Sequence, residues 1–270
     1  MTIGEVLRAA AEYLGGKGVE SPRLDAELLL AHALGLSRLE LYTQHDRPLT
    51  DKERAAGRAL VERRGRREPL AYILGEWGFR RLTLRTDARA LVPRPETEIV
   101  VERALALLEG VASPRVLDVG TGSGAIALAI ASECPDARVT ATDASGEALE
   151  LARENAGRLG IDVAFLEANL LDGITGPFDL VVSNPPYVLP GEDLQPELTY
   201  EPRAALVDGG QTESIASAAR GVLDGALVLE THEGRAGAIA ASLRDLGYTD
   251  VGVSADLAGK DRVVEARWTP

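Results

Sequence analysis

The residues with the clearest chemical potential are Asn184-Pro185-Pro186-Tyr187, which directly follow an apolar run at 178–183. Two adjacent prolines supply no backbone N–H and cannot extend a ladder, so a strand must end there. The loop then presents a side-chain amide, two proline-flanking carbonyls and an aromatic ring. Two acceptors and a ring suit a planar –NH2 group, because the acceptors take its hydrogens and the ring covers its face. The motif predicts a site for a planar amino or amide nitrogen, although Asn-Pro also begins ordinary turns.

A glycine-rich turn lies about 60 residues upstream, between a short apolar strand and an Ala-rich helix. Its residues are Gly120, Thr121, Gly122, Ser123 and Gly124. Glycines let the backbone approach a ligand closely, and the start of a helix offers unpaired N–H groups. Asp143 ends the next apolar run, at the spacing where an acidic side chain accepts hydrogen bonds from ribose hydroxyls. The turn and Asp143 predict a nucleoside-containing ligand; the alternative for Asp143 is a helix cap.

The chain resembles the S-adenosylmethionine (SAM) methyltransferases that act on amino groups conjugated to planar systems. The resemblance lies in the order of three elements: the glycine turn, the acidic residue at the end of the next strand, and Asn-Pro-Pro-Tyr. Three further stretches resemble one branch, the release factor glutamine methyltransferases (HemK/PrmC family). They are Pro-Leu-Ala-Tyr-Ile-Leu-Gly at 69–75, Leu-Val-Pro-Arg-Pro-Glu-Thr-Glu at 91–98 and Tyr-Glu-Pro-Arg-Ala-Ala-Leu at 200–206. The likeness runs over nearly the whole chain, and the Pro-Arg-Pro-Glu-Thr-Glu segment is its narrower signal.

The resemblance implies SAM as methyl donor and the N5 amide nitrogen of a glutamine in peptide chain release factors as acceptor. The implied SAM-binding residues are Gly120, Thr121, Gly122, Ser123, Gly124, Asp143, Asn169 and Asn184. The implied substrate-binding residues are Asn184, Pro185, Pro186 and Tyr187, of which Asn184, Pro185 and Tyr187 are assigned to catalysis. On this hypothesis the Asn184 oxygen and the Pro185 carbonyl each accept one N–H of the acceptor. Tyr187 then packs on the amide plane.

Several positions keep two interpretations or depart from the family pattern. Asn169 stands where the family usually has an acidic residue, and an amide still offers one acceptor and one donor. Asp118 either hydrogen-bonds loop amides or lies near the amino group of the donor. Arg94 is either a surface charge or a clamp on the donor. His232 stands where the family more often has Gly, and we interpret it as structural or exposed.

Two acidic residues of the family-specific segment, Glu96 and Glu98, fall in the first turn of an expected helix. There they either complement the helix dipole or lie beside the methyl donor.

The fold class is predicted as α/β, with a seven-stranded, mostly parallel Rossmann-like sheet and a small N-terminal helical bundle. Residues 1–67 show helix signals without a convincing strand, and the resemblance makes them the substrate-recognition domain. Residues 68–93 read as a linker with a β-hairpin, because 81–86 alternate polar and apolar residues. Residues 94–270 alternate strand and helix, as a parallel sheet covered on both faces requires. The last two strands lack an intervening helix, so the final strand is expected to pair antiparallel.

Composition argues against a membrane protein, a secreted protein and a metal site. No apolar stretch approaches the roughly 20 residues of a membrane span, and the first residues do not resemble a secretory leader, so we expect a cytoplasmic protein. One cysteine and three scattered histidines give no metal-ligand spacing.

The formal net charge is −13. Residues 1–75 carry 12 Lys/Arg and 11 Asp/Glu, and residues 76–270 carry 17 and 31. An acidic catalytic region repels phosphate backbones, which makes nucleic acid an unlikely direct substrate.

An alternative function is methylation of an exocyclic base amine, adenine N6 or guanine N2 of DNA or RNA, since the same loop can hold a flipped base. The arginine cluster at 63–67 is the one candidate for an RNA-binding patch; its other interpretation is a solvated helix end. A SAM- or nucleotide-binding module without catalysis would not need Asn-Pro-Pro-Tyr. A nicotinamide dehydrogenase would need a hydride-transfer partner that the sequence does not offer.

Overall fold

The computed structural model describes residues 1–189 and 191–270 and divides the chain into two compact units. One comprises Met1–Glu76 with Leu194–Tyr200, and the other comprises Trp77–Asp193 with Glu201–Pro270. These units are defined by packing. The division into 1–67, 68–93 and 94–270 follows from changes of pattern along the sequence, and it stays a prediction.

The N-terminal unit is helical, as its sequence predicts. Its α-helices in the described chain are α1 (Ile3–Gly16), α2 (Pro22–Leu34), α3 (Arg38–Thr43), α4 (Asp51–Gly65) and α5 (Leu70–Leu74). A capping box begins α4, where the Thr50 amide donates to the Glu53 carboxylate at 2.8 Å, as the Thr-x-x-Glu pattern at 50–53 predicts. Gly35 ends α2 in the left-handed region at φ 64°. Ser21-Pro22 is a sequence pattern that predicts a capped helix start, and Pro22 does begin α2, but the Ser21 side chain makes no capping hydrogen bond.

The arginine cluster at 63–67 is occupied by ion pairs inside this unit. Arg64 is buried and its Nε donates to the Asp25 carboxylate at 2.7 Å. Arg64 and Arg67 both donate to Glu197, at 2.9 and 2.7 Å. The interpretation as a solvated helix end is therefore wrong for Arg64. An RNA-binding patch is disfavoured as well, because Arg64 and Arg67 already have carboxylate partners.

A β-hairpin follows the helices, as predicted, and consists of β1 (Glu76–Phe79) and β2 (Leu82–Arg85). Burial alternates along β2, where Leu82 and Leu84 are buried while Thr83 and Arg85 are exposed. The polar–apolar alternation thus gave the right strand. The short helix α5 was not predicted, because five residues are too few to show a helical period.

The main sheet of the larger unit has seven strands in the described chain, in the order β5-β4-β3-β6-β7-β9-β8. The strands are β3 (Arg115–Val119), β4 (Arg138–Asp143), β5 (Ala164–Glu167), β6 (Phe178–Ser183), β7 (Leu223–Glu230), β8 (Thr249–Ala255) and β9 (Asp261–Trp268). The helices are α6 (Glu98–Leu108), α7 (Ala125–Glu133), α8 (Gly146–Leu159), α9 (Gln211–Ala219) and α10 (Ala236–Asp245). Strands β3 to β7 are parallel, and β9 lies antiparallel between β7 and β8. The predicted fold class and the antiparallel last strand are confirmed.

The sheet has an apolar core on each face. Alternate residues of β3 enter different cores: Val116 belongs to the cluster with α6 and α7, and Leu117 to the cluster with α9 and α10. This two-sided burial explains why the strand reads as a continuous apolar run rather than an alternating one. No helix of the described chain is long and apolar enough to span a bilayer. The described residues also hold no group of three or more His, Cys, Asp or Glu arranged for a metal ion.

The strand order reverses direction next to β3, because the chain moves outward to β4 and β5 and then returns to β6 on the other side. Such a reversal leaves a crevice at the carboxyl ends of the two central strands, where open α/β sheets bind ligands. Val119 pairs with Ser183 in the register, and the Ser183 hydroxyl donates to the Val119 carbonyl at 2.7 Å. The next residues, Gly120 and Asn184, therefore leave the sheet side by side.

Candidate active site

A cavity of about 490 Å³ lies at this crevice, within the larger unit. That volume is within the range of roughly 300–1,000 Å³ found for small-molecule sites. Its wall includes residues of the glycine turn, the end of β4, the loop after β5 and the loop after β6. Of the predicted site residues, the wall contains Gly120, Thr121, Gly122, Ser123, Asp143, Asn169, Asn184, Pro185 and Pro186. The sequence motifs that are far apart in the chain thus meet at one site.

The glycine turn has the backbone geometry that its sequence predicts. Gly120, Gly122 and Gly124 have φ values of 73°, 57° and 86°, a region that side-chain-bearing residues rarely adopt. The amides of Gly120 and Thr121 donate to the Thr142 carbonyl at 2.8 and 2.9 Å, which ties the turn to the end of β4. A Cβ added at Gly120 would meet no atom within 4 Å, so this glycine borders open space. The turn is therefore shaped by its glycines to leave room for a ligand.

Asp118 hydrogen-bonds to the glycine turn and does not line the cavity. Its carboxylate accepts from the Thr121 hydroxyl at 2.6 Å and from the Ala127 amide at 3.1 Å. Of the two interpretations left open, hydrogen bonding to the loop is the one that the structure supports. The residue is fully buried, and this burial raises the pKa of its carboxyl to about 7. Asp118 therefore holds the turn to the start of α7.

Asp143 lines the cavity and also organises the backbone around it. One carboxylate oxygen accepts from the Gly122 amide at 2.8 Å and the other from the Ser145 amide at 2.9 Å. The helix cap of α8 is Ser145, whose hydroxyl accepts from the Ala148 amide, so Asp143 is not itself the cap. Each carboxylate oxygen has a second lone pair, so Asp143 can still accept hydrogen bonds from a ligand.

Asn169 lines the cavity from the loop after β5. It is exposed, and its amide nitrogen lies 3.5 Å from a carboxylate oxygen of Asp172. An amide with its carbonyl oxygen free suits a ligand that carries an N–H group.

The Asn-Pro-Pro-Tyr loop contributes its first three residues to the cavity wall. The Asn184 amide nitrogen donates to the Thr97 hydroxyl at 3.3 Å, which leaves Oδ1 as the free acceptor. Tyr187 is not part of the wall; its ring centroid lies 5.8 Å from that of the exposed His232. Burial raises the pKa of Tyr187 to about 12, so the phenol is neutral at physiological pH. Packing of Tyr187 on an acceptor amide stays a prediction. His232, interpreted from sequence as structural or exposed, is exposed.

Sequence reasoning missed two residues beside Asn184. Thr97 is buried and lines the cavity, and in the sequence it is one residue of the Pro-Arg-Pro-Glu-Thr-Glu segment. Glu230, at the end of β7, is also buried. Burial raises the pKa of the Glu230 carboxyl to about 7. Its position at the end of a predicted central strand was the available signal.

Glu201 joins two of the family-like stretches, 200–206 and 91–98. Its buried carboxylate accepts from the Val92 amide at 3.0 Å and pairs with the Arg94 guanidinium. Arg94 lines the cavity and is partly exposed, so its charge is engaged by the protein rather than free at the surface. Glu201 therefore fixes the segment that precedes α6 against the loop that follows β6.

The two acidic residues at the start of α6 have different surroundings. Glu98 accepts from the Arg80 amide at 2.9 Å, in the turn of the β-hairpin, where Arg80 has φ 50°. Glu96 is exposed. Neither is among the residues that line the cavity. Glu98 thus stabilises the hairpin turn in addition to its position at the helix N-terminus.

A family model described as the PrmC N-terminal domain matches residues 5–75, and one described as the methyltransferase small domain matches residues 97–233. The release factor glutamine methyltransferase of Deinococcus radiodurans is 46% identical, covering 99% of both chains. This chain belongs to the release factor glutamine methyltransferase family. A second member, from Chlorobaculum tepidum, is 44% identical over 97% of this chain and 95% of its own. The predicted family, the enzyme class and SAM as the methyl donor of the family are confirmed.

Solved structures agree with this fold. The ribosomal protein L11 methylase of Lactobacillus delbrueckii subsp. bulgaricus superposes with a TM-score of 0.51 at 23% identity, covering 69% of this chain and 86% of its own. A T. thermophilus 16S rRNA N2 G1207 methyltransferase, in complex with AdoMet and guanosine, gives a TM-score of 0.54 at 17% identity, covering 71% and 49%. Both likenesses concern the fold of a methyltransferase domain.

The cavity suits SAM in size and chemistry. Its lining includes a carboxylate (Asp143) and an amide (Asn169) as hydrogen-bonding groups, together with apolar side chains such as Ile126 and Leu170. Gly120 borders open space, where backbone can approach the ligand. A nucleoside with polar edges and flat faces fits such a lining.

Proposed function

We propose that this chain transfers the methyl group of SAM to the side-chain amide nitrogen (N5) of a glutamine in peptide chain release factors. The observation that carries the proposal is the combination of 46% identity over the full length with Asn184 and Pro185 on the wall of the glycine-lined cavity. The site of action under this proposal is the cytoplasm, where peptide chains are released. The helical N-terminal unit, matched by the family model, is proposed to hold the protein substrate.

The glycine turn, Asp143 and Asn169 are proposed to hold the methyl donor. The donor supplies a methyl group on a positively charged sulfur, which is already a good leaving group. The protein therefore needs no acid to activate it. Asp143 is proposed to accept from the ribose hydroxyls, and Asn169 to bind an edge of the base. The first three glycine-turn residues bring the backbone close to the donor.

The acceptor is the weaker reactant, because an amide nitrogen shares its lone pair with the carbonyl. We propose that Asn184 Oδ1 and the Pro185 carbonyl each accept one N–H of the glutamine side chain. These bonds point the nitrogen at the methyl group, and they favour the positive charge that develops on the nitrogen during transfer. The second proton of the acceptor can leave after transfer, so no base is required before it.

The function is tested by incubating the enzyme with radiolabelled SAM and, separately, with purified release factor, with RNA and with DNA. Label should appear on the release factor, and mass spectrometry should locate one added methyl group on a glutamine side chain. A release factor with that glutamine replaced by alanine is the control and should stay unlabelled. Label on nucleic acid alone would replace the proposal by the base-amine alternative.

The SAM-binding assignment of Asp143 gives a prediction of its own. Asp143→Ala should raise the dissociation constant of SAM by about 10–100-fold, because it removes an acceptor for the ligand and the partner of the Gly122 amide. Isothermal titration calorimetry on the free enzyme measures this change. Asp136→Ala is the matched control, since Asp136 is exposed before β4 and should leave SAM affinity unchanged. Equal affinities of Asp143→Ala and wild type would remove Asp143 from the SAM site.

A further inference from the structure

Asn155 is a buried amide on α8 that the mechanism so far does not use. It is 1% exposed, and both ends of its amide have backbone partners. Its Oδ1 accepts from the Arg85 amide at 2.7 Å. Its Nδ2 donates to the Arg85 carbonyl at 3.2 Å and to the Ser123 carbonyl at 3.0 Å. One side chain therefore joins the end of β2 to the glycine turn.

These three hydrogen bonds use the full chemistry of a side-chain amide. A primary amide offers one carbonyl oxygen and two N–H groups, and here it meets one N–H and two carbonyls. A carboxylate has no N–H for the two carbonyls. An apolar side chain of the same size would leave all three backbone groups without this partner, and unpaired buried polar groups are costly. The contact is therefore specific to an amide at position 155.

The Ser123 carbonyl needs a partner outside the turn, because glycines flank it. Gly122 and Gly124 have φ values of 57° and 86°, and glycine gives the neighbouring peptide groups little preference for one orientation. The Gly124 amide donates to the Thr121 carbonyl at 2.9 Å, which holds the N–H end of the Ser123–Gly124 peptide within the turn. Asn155 holds the carbonyl end of the same peptide and directs it toward α8.

Helix α8 lies directly against the turn at this point. A Cβ added at Gly124 would lie 3.2 Å from the Cβ of Ala152, which is three residues before Asn155 on the same helix. Asn155 itself is not among the residues that line the cavity. It can therefore act on a ligand only through the turn that it holds.

The other end of the contact fixes the β-hairpin. Strands β1 and β2 form a two-stranded sheet of their own, and such a hairpin is marginally stable unless it packs on other elements. Leu82 and Leu84 pack in the core that also contains residues of α6 and α7. Arg85 pairs with the Asn155 amide through both its N–H and its C=O, as it would with a residue of a neighbouring strand. Hairpin and glycine turn therefore share one anchor.

We propose that Asn155 is a positioning residue for the methyl donor: it holds the glycine turn in the shape that binds SAM and couples that shape to the β-hairpin. The inference rests on the proposed binding of SAM by the glycine turn and not on the identity of the acceptor. A preorganised turn binds its ligand without having to be ordered first. Coupling between two parts of a protein is reciprocal, so SAM should in turn stabilise the contact between Arg85 and Asn155.

The decisive variant is Asn155→Leu, which keeps the approximate size and removes all three hydrogen bonds. It should raise the dissociation constant of SAM by about 10-fold, measured by calorimetry on the folded enzyme, because the Ser123 carbonyl is free to turn. The kcat at saturating SAM should change little, since Asn184 is not touched. Asn155→Asp keeps an acceptor for the Arg85 amide but has no donor for Ser123, so it should weaken SAM binding at least as much. Wild-type SAM affinity in either variant overturns the inference.

The matched control is Asp179→Leu, which also removes the side-chain partner of a backbone amide. Asp179 lies near the start of β6 and accepts from the Arg115 amide at 2.7 Å, at the edge of the sheet opposite the cavity. The control should lose stability and keep the wild-type dissociation constant of SAM. If it loses as much SAM affinity as Asn155→Leu, general loosening of the sheet is the cause and the inference is wrong.

Hydrogen exchange of the Arg85 amide measures the coupling directly, because that amide donates to Asn155. Saturating SAM should slow its exchange in the wild-type enzyme by about the same 10-fold, since linkage requires the two factors to agree. The effect should persist in Asp179→Leu and be absent in Asn155→Leu. Exchange that does not respond to SAM in the wild-type enzyme contradicts the inference.

Calorimetry and hydrogen exchange need no acceptor, so they separate the inference from the proposed function. If no release factor is methylated but both results hold, the inference stands and the proposed substrate fails. If Asp143→Ala weakens SAM binding while Asn155→Leu does not, the SAM site stands and the inference fails. If neither variant changes the dissociation constant, SAM does not bind at the glycine turn, and the inference fails together with the donor assignment.

Discussion

Asn184→Ala is expected to lower kcat for release factor methylation by about 10²–10³-fold while SAM still binds. The size follows from the removal of one preorganised acceptor at the position where charge develops, an effect comparable to the loss of one oxyanion-hole donor. Alanine also removes the orientation of the acceptor nitrogen toward the methyl group. SAM binding is expected to survive, because the glycine turn, Asp143 and Asn169 lie on other loops of the cavity wall. Single-turnover rates and calorimetry measure the two effects separately.

Asn169→Ala serves as the comparison, because it removes a second side-chain amide from the same cavity wall. The two substitutions should act on different constants: Asn169→Ala on the KM for SAM, and Asn184→Ala on kcat. If Asn184→Ala raises only the KM for SAM, its side chain belongs to the donor site. Unchanged turnover in Asn184→Ala would remove it from the mechanism.

The sheet and the glycine turn could be predicted because their signals are local. The apolar runs before Gly120 and Asn184 are short, bounded by glycine or proline, and buried on both faces, so each residue type matches its strand. The positive φ values of Gly120, Gly122 and Gly124 could be expected from the residue type, because glycine adopts them without strain. The meeting of the two motifs also followed from sequence, since parallel strands of one sheet carry their carboxyl ends to one edge.

The hydrogen bonds and ion pairs that hold the site together could not be predicted, because each joins residues far apart in the chain. Glu201 reaches Val92 and Arg94, more than 100 positions earlier, and neither end reveals its partner. Asn155 on α8 accepts from the Arg85 amide at 2.7 Å and donates to the Ser123 carbonyl at 3.0 Å, yet in sequence it is one polar residue on a helix. The interpretation of the arginine cluster at 63–67 as a solvated helix end was wrong for Arg64 for the same reason. Its carboxylate partners, Asp25 and Glu197, lie 39 and 133 residues from Arg64.

The residues that make these contacts are charged or polar groups that are buried away from water. A local pattern predicts where apolar residues go, since burial of apolar surface depends on residue type alone. Burial of a carboxylate depends on the partner that compensates it, and the partner is chosen by the tertiary structure. Glu201, Glu230 and Asp118 therefore appear only once the fold has placed their neighbours.

The second large effect expected is on stability. Arg94→Met should lower the free energy of unfolding of the larger unit by about 3–5 kcal/mol, because it leaves the Glu201 carboxylate buried without its counter-charge. The Glu201 side chain is 1% exposed, whereas that of Arg94 is 30% exposed. Glu201→Gln should therefore be milder, at about 1–3 kcal/mol, since the freed guanidinium can turn to water and the new amide oxygen still accepts from Val92.

Urea unfolding followed by tryptophan fluorescence measures these changes, since both tryptophans, Trp77 and Trp268, belong to the larger unit. The double variant Arg94→Met/Glu201→Gln should be more stable than Arg94→Met alone, because the uncompensated charge is gone. Arg103→Met is the matched control: its pair with Glu265 is more exposed, so it should lose only about 0–1 kcal/mol. Equal losses in Arg94→Met and Arg103→Met, with no recovery in the double variant, would mean that the Glu201 carboxylate is solvated and that the pair does not hold the cavity wall together.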